Sequence, residues 1–485
     1  MEIDKYQTKG SNRFPVGKVV LTCSYNNTEN RQETIDTQIE NERKSGKEPN
    51  YLLLRDEDEP FFLKFNVPLF VVGSDGRKYS VPLFAFPLYD VYKAGFEDVS
   101  VVGYKDTGEM SEMFSEFFGV NKNQRVEFVD EGPLEECSYS NTMKRAMASL
   151  QPEPDDVCLL LPGDLPVINT KAFRYDKDVK DHELVVEFNT LGLTGQHFPR
   201  NYHWAVRYRV DDVKAARKMI LLESLDDALK YDDFEDSNGR IGIPSKEGNP
   251  WLMNLYKIIN KGRMGASICD IGYEGRKAYS KKGWSQGDML KKTLIEEDGK
   301  LSLNRVAHFL DIIGVKGGIE ILRYLFTVLP EKKFLHLERL ESLITFDVET
   351  AERLFEYAFS SEQTKIRTRV KPSPQPGGIL DCDSIQDVVF MQAMLDKDPE
   401  VYPHIKELAE LGRYVGNRWG VEFTDGWIER ANDIFEEYEF DAQYRKDGTI
   451  DQKIFSEELI EKEIRMFKYY WDKVFTKKGT KRKVR

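Results

Sequence analysis

Cysteine is scarce in this chain, with five in 485 residues, and Cys23, Cys137, Cys158, Cys269 and Cys382 never stand in a Cys-x-x-Cys pair. That scatter excludes a disulfide framework and a structural zinc site, and it points to a reducing compartment. Long apolar runs are missing too. The most apolar stretches, such as Ile319 to Leu329, are broken by charge, and Met1 to Gly10 is polar with no apolar core. Neither a membrane span nor an export signal is expected, so the expected location is the cytoplasm. No basic stripe runs along the body and the formal net charge is -13. Binding to a phosphate backbone therefore lacks its electrostatic source, and nucleic acid is not an expected partner. No nucleophile elbow is present, and His308, His336 and His404 sit in helical contexts, which sets a serine or cysteine hydrolase aside.

What is present is a globular composition, 40% hydrophobic and 32% charged, in a chain long enough for one large domain with insertions or two packed domains. Val16 to Cys23 is apolar and β-branched and ends in the polar cluster Ser24 to Thr28, the pattern of a strand followed by a loop. Gln32 to Lys47 is charged enough for a solvated helix. Ser74-Asp75-Gly76-Arg77 supplies hairpin chemistry between apolar flanks. From Val81 a regular alternation sets in: an apolar helix to Lys93 with a stop at Gly95, a strand Val99 to Gly103, an amphipathic helix Glu109 to Phe118, and a strand Arg125 to Val129. A helix from about Ser140 and the uniformly apolar strand Val157 to Leu161 continue it. This is a βαβ rhythm, and right-handed crossovers place the carboxyl ends of such strands along one edge, where open α/β sheets bind ligands.

Further on, strand-like alternation returns between Asp181 and Arg209, and helical periodicity dominates from Trp251 to Leu329. Lys371 to Gly378 reads as a Pro/Gly loop. Three amphipathic helices follow at Tyr402 to Tyr414, Thr424 to Tyr438 and Ile454 to Phe475, and the basic run Lys477 to Arg485 reads as a solvated tail.

Two acidic turns stand out. In Leu161-Pro162-Gly163-Asp164-Leu165-Pro166 a carboxylate lies just past a buried strand, with Gly163 permitting close backbone approach. In Asp381-Cys382-Asp383-Ser384-Ile385-Gln386-Asp387 the carboxylates precede a helix that Ser384 caps, with Asp387 completing an acidic capping box. Magnesium takes oxygen ligands and keeps waters, so one or two such carboxylates plus substrate phosphates hold it. Taken singly, a Gly-Asp pair also serves as a plain turn and Asp-x-Asp-Ser as a plain cap.

Taken in order, these segments resemble the GT-A-like nucleotidyltransferases, which make nucleotide-sugars and related nucleotide-activated compounds and include the molybdopterin nucleotidyltransferase-like group. Pro82-Leu83 through Ala94-Gly95 to Val99-Ser100-Val101-Val102-Gly103 resembles the family's helix and second strand. Glu131-Gly132-Pro133, with Ser138 and Asn141, is similar to its nucleotide-contacting turn, and Gly163-Asp164-Leu165-Pro166 to its Gly-Asp-x-Pro metal motif. The Asp381 to Asp387 segment resembles the family's later Asp-x-Asp-Thr-Pro-Glu-Asp. The first loop departs: where the family has a Gly-rich turn and an arginine, this chain has Cys23 to Thr28, with Arg31 as the candidate substitute.

The resemblance implies a Rossmann-like, mostly parallel sheet flanked by helices. It also implies magnesium held by Asp164 and Asp381, with Asp383 the alternative ligand. Lys64 would neutralise phosphate, although the same residue also reads as an exposed strand lysine. Ser24, Gly132 and Ser138 would meet the nucleotide. The implied reaction transfers a nucleoside monophosphate from a nucleoside triphosphate to a phosphorylated acceptor such as a sugar phosphate, releasing pyrophosphate. Residues 1–395 would form the catalytic domain, with a large insertion at about 181–371, and 396–485 a helical C-terminal region. The competing readings are a GT-A glycosyltransferase, which would release nucleoside diphosphate instead, and a non-catalytic binding protein on the same fold. The cluster Thr194 to His203 is a candidate acceptor contact or a plain loop and strand.

Overall fold

A computed structural model of the chain describes residues 14–23, 65, 67–103, 105–118, 124–132, 138–189, 204–209, 240–245, 247–262, 265–266, 315–316, 318–319, 345–373, 375–378, 380–382, 385–419, 422–437 and 439–470. The first strand is β1 (Lys18–Cys23), followed by the hairpin β2 (Pro68–Val72) and β3 (Lys78–Pro82) and helix α1 (Ala85–Ala94). Next come β4 (Asp98–Gly103), α2 (Lys105–Phe118), β5 (Arg125–Asp130), α3 (Tyr139–Leu150) and β6 (Cys158–Pro162). After the single-turn α4 (Lys171–Arg174) lie β7 (Leu184–Asn189), β8 (Trp204–Arg209), β9 (Arg240–Ser245), β10 (Glu247–Met253) and α5 (Leu255–Lys261). Then follow β11 (Thr345–Asp347), α6 (Val348–Phe359), β12 (Thr368–Ser373) and α7 (Ile385–Lys397). The C-terminal part is α8 (Ile405–Trp419), α9 (Glu422–Glu437), the small pair β13 (Ala442–Tyr444) and β14 (Ile450–Gln452), and α10 (Glu457–Tyr470).

The central sheet has seven strands in the order β12-β7-β10-β6-β1-β4-β5. Only β10 runs against its neighbours in this sheet; β1, β4, β5, β6, β7 and β12 run the same way. The fold is therefore α/β with a mostly parallel sheet, as expected from the sequence. From β1 the chain winds outward through β4 to β5, then crosses back to place β6 on the other side of β1. The winding reverses between β1 and β6, and in open α/β sheets the carboxyl ends of strands at such a reversal are where ligands bind.

Strand alternation explains how both faces are covered. Val19, Leu21, Val101, Leu159 and Leu161 face one core with Phe84, Leu88 and Phe114 of the segment from β3 to α2. Val20, Val102, Leu160, Leu184 and Val186 face another with Met143 and Ala146 of α3 and Ile258 of α5. Each such aliphatic side chain, fully buried, contributes roughly 1.5–3 kcal/mol. The first core extends into the C-terminal part, taking in Leu408, Trp427, Phe435, Tyr444 and Phe467. Gln392 of α7 fastens that part to the hairpin: its Oε1 accepts from the N–H of Phe70 at 2.8 Å and its Nε2 donates to the Phe70 carbonyl at 3.0 Å.

Several local expectations hold. Gly95 closes α1 in the left-handed region with φ 84, and α3 begins at Tyr139, close to the expected start, with Ser138 found to cap it by accepting the Asn141 N–H at 3.1 Å. Two differ. Lys371 to Ser373 belongs to β12 rather than to a loop; β12 is an edge strand, where proline is tolerated, and Lys371 is tied down by ion pairs to Asp176, Asp178 and Glu187. Trp251 to Met253 is strand, paired with both β6 and β7; helix starts only at Leu255, behind the Asn254 cap. Within 181–371, strands β7, β10 and β12 are members of the central sheet. The charged helix at Gln32 to Lys47, the Thr194 to His203 cluster, the Ser384 cap, His308, His336 and the basic tail lie outside the described residues.

Candidate active site

At the end of β6 the Gly163 N–H donates to the Thr22 carbonyl at 3.0 Å, carrying the β1–β6 pairing one rung past Pro162. A Cβ on Gly163 would lie 2.7 Å from the Cys23 Sγ and 3.1 Å from the Phe65 ring, so a residue without a side chain is needed there. Asp164 follows immediately, at the carboxyl end of β6 where the winding of the sheet reverses.

The second acidic segment arrives from the far edge of the sheet. Beyond β12, the Gln375 Oε1 accepts the Asn169 N–H at 2.9 Å. Gly377 then lies so close to Val167 that a Cβ would stand 2.1 Å from its carbonyl oxygen. The Cys382 N–H donates to the Asp164 carbonyl at 3.0 Å. Asp381 and Asp164 are thereby held on adjoining stretches of backbone, although 217 positions separate them in sequence (381 − 164). Both are sealed from solvent, at 5% and 3% exposure respectively.

A third wall continues from β5. The Glu131 N–H donates to the Gly103 carbonyl at 2.9 Å, and the buried Glu131 carboxylate accepts from the Thr142 Oγ1 at 3.2 Å. Gly132 adopts φ 87, which favours glycine, and its N–H donates to the Asp130 Oδ1 at 2.9 Å. Arg145 braces this turn by donating to the Asp130 carbonyl at 2.9 Å. The amino end of α3, capped by Ser138, therefore opens on the same rim.

Electrostatics link these walls. Burial pushes the Cys23 thiol well above its ordinary value, and the Asp164 and Glu131 carboxylates push it further. Cys23 is thus held as a neutral thiol, fit for packing rather than for nucleophilic attack.

Of the residues singled out in the sequence, Asp164, Asp381, Gly132 and Ser138 all lie along the carboxyl rim. Ser24, Lys64 and Asp383 lie outside the described residues. Among the described residues no three His, Cys, Asp or Glu side chains converge to hold a metal ion. Asp164 and Asp381 nevertheless offer the hard oxygen donors that magnesium takes, and two suffice where phosphates and water complete the octahedron. Sequence reasoning had Cys23 and Glu131 within the first-loop and turn segments without linking them to Asp164, and it missed Gln375 and Gly377 as fasteners. A strand end at the winding reversal was the available signal for Cys23, and a charged residue directly after a strand was the signal for Glu131.

No family model matches the chain, and no curated protein matches it either. One solved structure that it resembles is the 4-diphosphocytidyl-2C-methyl-D-erythritol synthase of Anaerococcus prevotii, with a TM-score of 0.28 and 9% identity over 67% of this chain and 95% of that one. No helix among the described residues is long and apolar enough to cross a membrane.

Proposed function

We propose that the chain is a magnesium-dependent nucleotidyltransferase, moving a nucleoside monophosphate from a nucleoside triphosphate to a phosphorylated small-molecule acceptor with release of pyrophosphate. The observation that carries this reading is the meeting of the Gly163-Asp164 turn with the Asp381 segment at the carboxyl ends of β1 and β6, fixed by the Cys382 to Asp164 bond. Asp164 and Asp381 would hold magnesium, with Asp383 the alternative ligand, and the ion would supply positive charge against the phosphates. Lys64 adds a second positive charge. The turn at Gly132 and the amino end of α3 behind Ser138 offer backbone N–H groups to the nucleotide, and Ser24, next in sequence after β1, would meet it as well. An acceptor phosphate oxygen attacks the α-phosphorus directly, so no protein nucleophile is needed, in keeping with the neutral Cys23 thiol. The site is a reducing, cytoplasmic one.

The test is a melting-shift screen of the full chain against nucleoside triphosphates with magnesium, followed by a pyrophosphate-release assay. Asp164→Asn is expected to abolish both the shift and the release while leaving the melt without nucleotide nearly unchanged. Release that persists in that variant overturns the assignment. The burial of Asp164 and Asp381 favours a second reading, a partner-binding protein that keeps the fold without turnover. Under that reading no triphosphate shifts the melt at any magnesium concentration.

A further inference from the structure

His404 stands just ahead of α8 with φ 58, in the left-handed region that non-glycine residues seldom adopt. Its ring lies edge-on to Tyr89 with centroids 5.3 Å apart, and its Nε2 is 3.3 Å from the Asp90 Oδ1 on α1. Asp90 is buried at 5% exposure. Its other oxygen accepts both the N–H and the hydroxyl of Thr170, at 2.6 and 2.7 Å. Thr170 ends the stretch that begins at Asp164, and its neighbour Asn169 is the residue that donates to Gln375. From His404 to Asp381, then, each step is a hydrogen bond or a short run of backbone.

We propose that Asp90 is a positioning residue for the rim, tying the 164–170 stretch to the C-terminal helices through His404. The C-terminal helices thereby help set where the Asp164 turn and the Asp381 segment sit. A left-handed histidine persists only where its surroundings over-determine it, and the bond to a buried carboxylate is what His404 gains from that conformation. The consequence for a ligand rests on the nucleotidyltransferase reading; the mechanical tie does not.

Hydrogen exchange read by mass spectrometry on the full chain, with no nucleotide present, tests the tie. His404→Asn keeps a side chain that tolerates the left-handed region but is too short to reach Asp90. Asp90→Asn keeps the size and an acceptor for Thr170 but loses the charge. Both variants are expected to exchange several-fold faster than the parent in peptides covering 164–174 and 375–382, with β4 and α3 unchanged. His404→Gln, whose amide can reach Asp90, is expected to restore much of the protection, which loss of packing alone does not predict. Acceleration confined to 85–94 and 402–410 overturns the proposal. Should Asp90→Asn fail to fold, the partly exposed His404 carries the test alone. A positive exchange result with no nucleotide binding would leave the tie standing and remove only the enzymatic reading.

Discussion

The N–H of Cys382 donates to the carbonyl of Asp164 at 3.0 Å, so the segment leaving the edge strand β12 is fastened to the turn that leaves the central strand β6. This bond depends on neither carboxylate. The two acidic residues are held close by this backbone bond together with the Gln375 side chain, which accepts the Asn169 N–H, so substitution of the Asp164 side chain leaves the atoms of the bond itself in place. The approach itself rests on the close passage of Gly377 over Val167.

Gly377→Ala is therefore expected to be costly. The added Cβ meets the Val167 carbonyl oxygen at 2.1 Å and the Ile168 Cα at 2.9 Å, both backbone atoms that cannot rotate aside. Overpacking of this kind costs roughly 1–3 kcal/mol. The neighbouring Gly378→Ala is the control, since its Cβ would find only the Pro250 Cδ at 3.8 Å; its effect should stay within about 0.5 kcal/mol. Urea unfolding of both variants measures the difference. Equal midpoints would mean that the segment can shift freely over Val167.

Most of the sheet was legible because β1, β4, β5 and β6 are short apolar strands separated by helices with clear stops, such as Gly95 and the Ser138 cap. β10 and β12 were not. Trp251 to Met253 is too short an apolar run for periodicity to separate strand from helix, and Pro372 disguises an edge strand as a loop. At the site, Gly163-Asp164 and Asp381 were legible as turns next to regular elements. Their meeting was not, because Gln375, Gly377 and Cys382 act through contacts distant in sequence that leave no local pattern. The burial of both carboxylates was illegible too, because burial follows from tertiary packing and leaves no local pattern.

The buried thiols give a second prediction. Burial pushes the Cys158 thiol to about 12, so at pH 8 only about one in ten thousand is the reactive thiolate. Cys23 is raised well above its ordinary value and Cys382 is fully buried. Peptides bearing these three cysteines should escape iodoacetamide in the native protein and label readily in urea, as read by peptide mass spectrometry. Native labelling of Cys23 in particular would show that the rim beside Gly163 opens spontaneously, which would relieve the sealing of Asp164.

The pH dependence of stability should carry a signature of Glu187. This carboxyl is raised above its ordinary value chiefly by burial, with the Asp176 carboxylate adding to it, while Lys371 and a hydrogen bond from Ser373 oppose the rise. Folded Glu187 therefore keeps its proton to higher pH than the unfolded chain does. Between the ordinary glutamate range and the raised folded value the native state binds more protons. The stability that this group contributes is thus full below that window and falls as pH rises through it. Glu187→Gln mimics the protonated form and leaves Lys371 paired with Asp176 and Asp178. Relative to the parent, the variant is expected to gain stability steadily as pH is raised through the window, measured by urea unfolding from roughly pH 4 to pH 7. Parallel stability curves for the two proteins would mean that Glu187 titrates alike in the folded and the unfolded chain, with Lys371 cancelling the effect of burial.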